Sequence, residues 1–322
     1  MRRVVGAILL ALGAFLVVAA LLLPVYVAPA LVKVPLDQDS QTVAEATDAT
    51  VFRVATLSEE DGVDLKAIRT VRGDVKNGDS KRAVFDVFLY IKDGDGKEVT
   101  YSTDRVALDR RTSEAINCCG ENVNGKATEH KGLSYKFPFD TEKKTYEYFD
   151  ITAKKTYPIR FLDTETIKGL ETYKFQMNAS DVKIGEQELP GKLFGTTEPT
   201  VKADRIYNNT RTIWVEPKTG VIIKGREEQK QTFRNADGED KVTVIDGTLE
   251  FNDKTITEAV DTAEEGSATI TLLERTLPLV LGVLGVLLLI VGLILTLLGR
   301  STAAEARPGR RRAGRTHAAS PA

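Results

Sequence analysis

Two adjacent cysteines are the residues whose type and spacing most directly suggest chemistry in this sequence. Cys118 and Cys119 are the only cysteines of the 322-residue chain, and Gly120 follows them directly. Thiols outside the cytoplasm tend to be oxidised, and a bond between neighbouring cysteines closes a small ring that fixes a turn. The pair therefore predicts a rigid disulfide turn. Pairing between two chains, a redox switch and a thiolate metal site are the alternatives, the last disfavoured because no histidine cluster lies nearby.

Other candidates for catalysis are sparse. His130 is the only histidine outside the C-terminal tail, and its neighbours Glu129 and Lys131 predict a solvated loop residue. A nucleophile needs a base within hydrogen-bonding reach, and the sequence contains no G-x-S-x-G, H-E-x-x-H, Walker or dinucleotide-binding motif. Acidic residues are frequent, so a two-carboxylate glycosidase stays open as an alternative. We expect a protein that is not an enzyme and that uses no cofactor and no metal.

An aromatic-rich stretch, YKFPFDTEKKTYEYFD, occupies residues 135–150 of a chain that is only 7% aromatic. Residues two apart in a strand point to the same face of a sheet. The alternation therefore predicts that the rings at 135, 137 and 139 share one face, as do those at 146 and 148. We expect these rings and the single tryptophan to form a sheet core or to face a ligand: Tyr135, Phe137, Phe139, Tyr146, Tyr148 and Trp214.

The elements that must position these residues are hairpins. Residues 81–102 are two strand-like runs around an Asp-Gly turn, 212–229 turn at Pro217–Gly220, and 232–251 repeat the format. Alternating apolar and polar residues around such turns are typical of antiparallel strands, and helical patterns are scarce apart from residues 253–275. We predict a mainly β fold in which an antiparallel β-rich extracytoplasmic domain lies between N- and C-terminal transmembrane α-helices.

Two uncharged runs flank this domain. Residues 4–32 and 276–299 contain no charged side chain, and about 20 apolar residues in a helix cross a bilayer core. We predict that both runs span the membrane, and that Pro24 and Pro29 end the first helix near the outer face. Secretory-signal cleavage at VAPA is the alternative for the first run. The glycines of the second run, Gly282, Gly285 and Gly292, are not four residues apart, so no tight-dimer motif is expected.

Basic flanks set the predicted topology, because positive residues stay on the cytoplasmic side. Residues 1–3 carry +2, and the basic tail at 300–322, predicted to be disordered, carries +5. Both termini are therefore predicted to be cytoplasmic, in a two-pass protein of the cell (plasma) membrane with residues 33–275 outside. The whole chain carries −2, so residues 33–275 carry −9. An acidic domain is a poor partner for nucleic acid, and the lipid bilayer is the expected partner.

Several motifs carry a family resemblance over nearly the full chain. They are the first anchor with its exit, MRRVVGAILLALGAFLVVAALLLPVYVAPALVKVPLD, the pair in NCCGE, the stretch YKFPFDTEKKTYEYFD and the second span in ERTLPLVLGVLGVLLLIVGLIL. With them the sequence resembles a family of two-pass actinobacterial membrane proteins of unknown function that carries the label porin PorA-like. The strands lack the apolar outer faces, about ten residues long, that a membrane barrel needs.

Two looser likenesses point to lipid. IWVEPKTGVIIKGREEQ resembles the Trp-containing hairpin of half-barrel lipoprotein carriers, and a helix at each end resembles scavenger-receptor-type lipid receptors. They imply a cell-envelope protein whose ectodomain binds or passes on a lipid or lipoglycan in an apolar cavity. The alternatives are an oligomeric porin-like channel component, which requires a homo-oligomer, and a structural or interaction module without a small ligand.

Overall fold

The computed structural model of the chain describes residues 2–304, which fall into two compact units. One unit contains residues 2–31 and 269–304, and the other contains residues 32–268. The basic tail beyond residue 304 lies outside the described residues. We describe each unit by itself.

Two long helical segments frame the chain, and each contains one π-helical turn. We expected Pro24 to end the first segment, but the helix passes through it and ends at Leu31. Pro24 lies in the first turn of the π-helical stretch, where a missing N–H is best tolerated. In chain order the segments are α1 (Arg2–Leu22), a π-turn (Leu23–Val27), α2 (Ala28–Leu31), then α3 (Asp253–Thr271), a π-turn (Leu272–Thr276) and α4 (Leu277–Ala304).

Glycines bring α1 and α4 into close antiparallel contact. Gly6 faces Gly292 and Gly13 faces Gly285, so closely that a Cβ on any of the four would overlap backbone atoms of the opposite helix. Each pair of glycines within one helix is seven residues apart, which is close to two helical turns. The tight-dimer motif requires glycines four residues apart in one span, so its absence from the sequence gave no indication of this packing.

The second unit is built on one antiparallel sheet. Its short β5–β6 hairpin and the strand β7 lie at opposite ends of the strand order. The strands are β1 (Asp39–Arg53), β2 (Ser58–Gly73), β3 (Arg82–Asp93), β4 (Glu98–Asp109), β5 (Asn122–Val123), β6 (Lys126–Ala127), β7 (Tyr146–Asp150), β8 (Lys155–Ile167), β9 (Leu170–Pro190), β10 (Thr200–Val215), β11 (Ile222–Arg234) and β12 (Asp240–Phe251). A 3₁₀ turn at Gly191–Phe194 separates β9 from β10.

Strand order follows chain order except at one place. The order is β6-β5-β4-β3-β2-β1-β12-β11-β10-β9-β8-β7, so the first and last strands pair in the middle of the sheet. The predicted hairpins at 81–102, 212–229 and 232–251 are confirmed as β3–β4, β10–β11 and β11–β12. The predicted mainly antiparallel β fold with two terminal apolar helices is likewise confirmed.

One face of the sheet carries the core. The register aligns Phe85 with Val106 and Phe175 with Ile213, and all four side chains are buried. Residues of opposite parity lie on the other face, where exposed ion pairs such as Lys230–Asp246 join neighbouring strands. This alternation follows from the two-residue period of a strand.

The helix α3 covers one end of the sheet. Its apolar residues Val260 and Ala263 pack against Ile223 of β11 and against the β8–β9 hairpin. At the start of α3, Asp253 pairs with Lys168 of that hairpin at 2.7 Å. The predicted helix within residues 253–275 is thus confirmed, and it is fixed to the sheet by its apolar side.

Backbone hydrogen bonds also join β4 to β7, so the sheet is curled and its edges are linked. We call the linking residues 113–116 and 130–133 the seam. Through the seam the hydrogen-bonded path continues from β4, beside the β5–β6 hairpin, to the edge strand β7. The bonds are Ile116 N to Ala107 O (2.8 Å), Ala115 N to Gly132 O (2.9 Å), Leu133 N to Glu147 O (2.8 Å) and Phe149 N to Leu133 O (2.8 Å).

Candidate functional site

The segment that follows the seam lies on the buried face of the curled sheet. We call residues 133–141 the inner segment. Its N–H groups at Phe137, Asp140 and Thr141 donate to the β10–β11 turn. Gly220 of that turn has a positive φ, and a Cβ there would overlap the carbonyl groups of Phe137 and Pro138. The bonds are Phe137 N to Gly220 O (3.0 Å), Asp140 N to Lys218 O (3.1 Å) and Thr141 N to Pro217 O (2.7 Å).

The three rings of the inner segment do not share one face, so that prediction is wrong. Phe137 is fully buried, with its ring centroid 4.8 Å from that of Phe175 in β9. Tyr135 and Phe139 pack instead on the cluster around Phe85 of β3. The segment contains bends and no strand, and the two-residue alternation therefore does not hold there.

Strand β7 places its tyrosines as the alternation predicts. Tyr146 and Tyr148 both contact Phe137, at centroid distances of 5.6 and 6.2 Å. The Tyr148 hydroxyl donates to the carbonyl of Ser134 in the inner segment. These rings therefore close on protein, and they hold the inner segment against β7.

Trp214 belongs to the opposite face of the sheet. Its neighbours Ile213 and Val215 point into the cluster around Phe137, and the indole points away from it. The indole is nevertheless buried, with Nε1 donating to Glu165 at 2.7 Å. The ammonium groups of Lys174 and Lys224 lie 5.2 and 4.9 Å from the ring centroid. The tryptophan is therefore enclosed by charged side chains and is separate from the other five rings.

Charged side chains also lie on the buried face. Arg211 of β10 pairs with Glu227 of β11 at 3.1 Å and lies 3.4 Å from Asp150 of β7. The Tyr207 hydroxyl donates to Asp150 at 3.0 Å, and Arg69 of β2 lies 3.6 Å from Glu227. We call these five residues the inner ion network. It joins strands from both halves of the sheet across its interior.

Mutual attraction keeps Arg211 and Glu227 charged despite burial. Burial opposes the charge on Arg211, but Glu227 and Asp150 outweigh it and raise the pKa of the guanidinium. Burial also opposes ionisation of Glu227, while Arg211 and Arg69 outweigh it and lower the pKa of that carboxyl. Removal of one partner would leave an uncompensated charge inside the sheet.

His130 is buried, which corrects the prediction of a solvated loop residue. Its Nε2 lies 2.8 Å from Asp104 Oδ1 in β4, and its Nδ1 lies 3.0 Å from Glu121 Oε2. The ring also packs on Phe149 of β7 at a centroid distance of 4.4 Å. Tyr135 donates its hydroxyl to the second oxygen of Asp104 at 2.5 Å. The charged neighbours in sequence thus gave no indication of the carboxylates that enclose this ring.

The sulfur atoms of Cys118 and Cys119 are bonded to each other in the structure. Cys119 has a positive φ, and its carbonyl accepts a hydrogen bond from Arg105 Nε of β4 at 2.9 Å. Glu121, a partner of His130, belongs to the same turn and donates its N–H to the carbonyl of Cys118 at 3.3 Å. The turn therefore positions a carboxylate at the seam.

Within residues 2–304, no group of three or more His, Cys, Asp or Glu side chains is arranged to hold a metal ion.

A lysine in the inner segment has an altered pKa. Lys136 donates through Nζ to the carbonyl groups of Phe137 and Thr219, and its ammonium lies 3.9 Å from the Phe139 ring centroid. Burial lowers the pKa of Lys136 to about 7, and the charge of Glu216 opposes this effect. Lys136 thus ties the inner segment to the β10–β11 turn.

A lipid or lipoglycan ligand, which we expected at the aromatic face, finds no support in this geometry. The space beside those rings is filled by the inner segment. A cavity of about 360 Å³ lies elsewhere, between β1, β2 and the β3–β4 turn. Five of its ten lining residues are charged, namely Glu45, Asp64, Lys66, Lys92 and Asp93, whereas an acyl chain requires an apolar lining.

Parity along the strands could have identified the charged interior in advance. Arg211 has the same parity as Ile213 and Val215 in β10, and Asp104 has that of Val106 and Leu108 in β4. A charged residue that shares the parity of apolar residues in a strand indicates a charge on the buried face of the sheet.

Together the fold and the site define a curled-sheet protein with two apolar terminal helices and a packed, charged interior. The profile of the family Porin PorA matches residues 5–294, so the chain belongs to that family, as the sequence resemblance led us to expect. A protein of Corynebacterium resistens named Porin PorA is 26% identical, with 92% of this chain and 97% of that protein aligned. Another Porin PorA, from Corynebacterium amycolatum, is 25% identical, with 91% and 98% aligned.

Proposed function

We propose that the chain is a channel component of the cell-envelope membrane that acts as an assembly of several copies and not as an enzyme. The observation that carries this proposal is the match of the Porin PorA family to residues 5–294. The name of the two relatives, Porin PorA, supports a pore more directly than lipid transfer.

Two helices of the described chain are long and apolar enough to cross a bilayer, Arg2–Leu31 and Asp253–Leu298. In our proposal their uncharged parts, within residues 4–32 and 276–299, are the membrane spans, and the bilayer is the partner of these spans. Arg2 and Arg3 at the start of the first helix and the arginines after the second support a topology in which both termini are cytoplasmic. The curled sheet then lies on the outer side.

A pore of this kind requires a homo-oligomer. Within one copy, α1 and α4 meet at Gly6, Gly13, Gly285 and Gly292 with no space between the helix backbones. The interior of the curled sheet is occupied by the inner segment. We therefore place the conducting path between copies.

Planar-bilayer recording tests the proposal. The purified full-length chain is expected to produce discrete conductance steps, whose frequency rises more steeply than in proportion to protein concentration because several copies must assemble. The control is the same preparation unfolded by heat before addition. Absence of conductance from folded protein, or a step frequency strictly proportional to protein concentration, would contradict a multi-copy pore.

A further inference from the structure

One imidazole ring in the seam contacts both strands that the seam links, β4 and β7. His130 is itself a seam residue, it contacts Asp104 on β4 through Nε2, and it packs on Phe149 of β7. Side-chain exposures of 0% for His130 and 1% for Asp104 exclude water from this contact. The ring therefore occupies the point at which the curled sheet closes.

The two carboxylates beside the His130 ring can both accept a hydrogen bond from it only if both ring nitrogens carry a proton. Both ring nitrogens face carboxylates, Asp104 at 2.8 Å and Glu121 at 3.0 Å. A neutral imidazole has one N–H, whereas the imidazolium has two. Only the imidazolium can donate to both carboxylates, because the neutral ring would turn a lone pair toward one of them.

We propose that the seam is a proton-controlled closure, in which protonated His130 holds β4 and β7 together and loss of its proton loosens the sheet edges. The curled sheet would respond in this way whether or not the chain conducts ions.

Groups from every neighbouring element act on this ring. From β4 and the disulfide turn come the two carboxylates, and from the inner segment comes Tyr135, whose hydroxyl occupies the second oxygen of Asp104. From β2, Arg69 lies 5.9 Å from the Tyr135 ring centroid. From β7 comes the uncharged Phe149, while the Lys131–Glu147 pair on the outside of the seam is exposed. Among the described residues, the contacts of the ring are with Asp104, Glu121 and Phe149, and none of these three is a cation that would repel its charge.

The direction of the response follows from the pKa. Burial disfavours the charged ring, but Asp104 and then Glu121 outweigh burial, so the pKa of His130 lies above its ordinary value of 6.5. A raised pKa gives stability that is fully present below pH 6.5 and is lost as the pH rises through the pKa in the folded protein. Between pH 6.5 and the pKa in the folded protein, closure of the seam is then expected to weaken by up to about tenfold for each pH unit, and above that pKa it weakens no further.

Hydrogen–deuterium exchange of the full-length chain in detergent tests the closure. Protection factors, corrected for the intrinsic pH dependence of exchange, are compared between about pH 5.5 and about pH 8.5, the range that histidine titration covers. At high pH the amides of residues 113–116, 130–133 and 146–150 are expected to lose protection. The β11–β12 hairpin serves as the internal control, and its protection is expected to change far less.

Matched variants assign the effect to one ring. His130→Gln removes the titration, so the protection of its seam is expected to fall over this pH range no more than that of the β11–β12 hairpin. His317→Gln changes the other histidine of the chain and is expected to behave as wild type. A wild-type seam whose protection does not fall relative to that hairpin would overturn the proposal, and so would an unchanged pH response in His130→Gln. If His130→Gln fails to fold, the wild-type comparison between the seam and the hairpin decides alone.

Discussion

Arg211 lies at a position of β10 where strand alternation calls for an apolar side chain. It is almost fully buried and is compensated by Glu227 and Asp150. A charge of this kind contributes little net stability when it is paired, but loss of one partner is costly because the remaining charge stays buried. The inner ion network is thus a set of mutually dependent residues.

Replacement of Arg211 by Met is therefore expected to lower the free energy of unfolding by about 3–5 kcal/mol. The matched control is Lys230→Met on the next strand, whose partner Asp246 is about half exposed. It is expected to cost about 1 kcal/mol or less. Urea titration of the full-length chain in detergent, followed by tryptophan fluorescence, measures both. Equal losses in the two variants would show that the interior charges are not coupled.

Lys136 gives a pH-dependent expectation of opposite sign to that of His130. Its pKa in the folded protein is about 7, below the ordinary 10.5, so the unfolded chain binds more protons between these values. Stability contributed at this site therefore rises from about pH 7 to about pH 10.5 and is constant below about pH 7.

Lys136→Met removes this dependence. The free energy of unfolding of the variant minus that of wild type is expected to decrease as the pH rises above about 7, and to be constant below it. Urea titrations at a series of pH values measure the difference, in which the contribution of His130 cancels. A difference that does not vary with pH would contradict the lowered pKa.

Sequence reasoning at the residue scale succeeded where a residue lies in a strand. Tyr146 and Tyr148 contact the same ring because β7 is extended. The expectation failed at Tyr135, Phe137 and Phe139, since the hydrogen bonds of the inner segment go to a turn about 80 residues further along the chain. The burial of His130 was also not predicted, because Asp104 and Phe149, which contact its ring, are distant from it in sequence.

At the scale of elements, the seam depends on a glycine. Gly132 has a positive φ, and a Cβ there would overlap the backbone of Glu147 in β7. Gly169, in the β8–β9 turn, also has a positive φ, but no atom lies within 4 Å of the position of its Cβ. Alanine substitutions at the two positions therefore distinguish the cost of backbone strain from the cost of steric overlap.

Gly169→Ala is expected to cost about 1–2 kcal/mol from the left-handed backbone alone. Gly132→Ala carries the same strain plus the overlap, and is expected to cost at least about 1 kcal/mol more. Thermal unfolding of the full-length chain in detergent provides the comparison. Equal costs at the two positions would show that the seam accommodates a side chain.

The contact between α1 and α4 gives a second test at this scale. A Cβ at Gly285 would overlap Gly13, whereas one at Gly282 would make an ordinary contact with Ala20 at 3.7 Å. Gly285→Ala is therefore expected to separate the helices at a lower SDS fraction than wild type, and Gly282→Ala is not. Energy transfer between fluorophores at Val4 and Leu298 measures the separation. Identical behaviour of both variants would contradict close glycine packing.

The hairpins of this fold were predictable because their turns and their partner strands are contiguous in sequence. The seam was not, because it joins β4 to β7 through two single-residue bridges, Leu108–Ala115 and Leu133–Tyr148. A single-residue bridge leaves no alternating pattern in the sequence from which it could be predicted. The helix contact was also hidden, since glycines at seven-residue spacing have meaning only when the opposite helix is known.

At the scale of the whole molecule, the proposed topology makes a direct prediction. Val54 follows β1 and is 73% exposed. Val54→Cys is expected to react with a membrane-impermeant maleimide on intact cells, because the proposed topology puts this exposed position outside. Cys118 and Cys119 are bonded to each other and therefore do not compete for the reagent. An epitope tag after Ala322 is expected to be reached by antibody only after lysis. Tag detection on intact cells, or no labelling at Val54→Cys, would contradict a two-pass protein with both ends inside.

The pairing of β1 with β12 in the middle of the sheet has a consequence for biosynthesis. In a chain translocated from its N-terminal end, β1 emerges first, and its partner β12 follows only after on the order of 200 further residues, a long loop to close. Until then β1 presents an unpaired edge, which is a template for association with other chains. Non-local pairing of this kind also forms slowly. Production of the protein therefore depends on keeping an unfinished sheet apart from its neighbours during export.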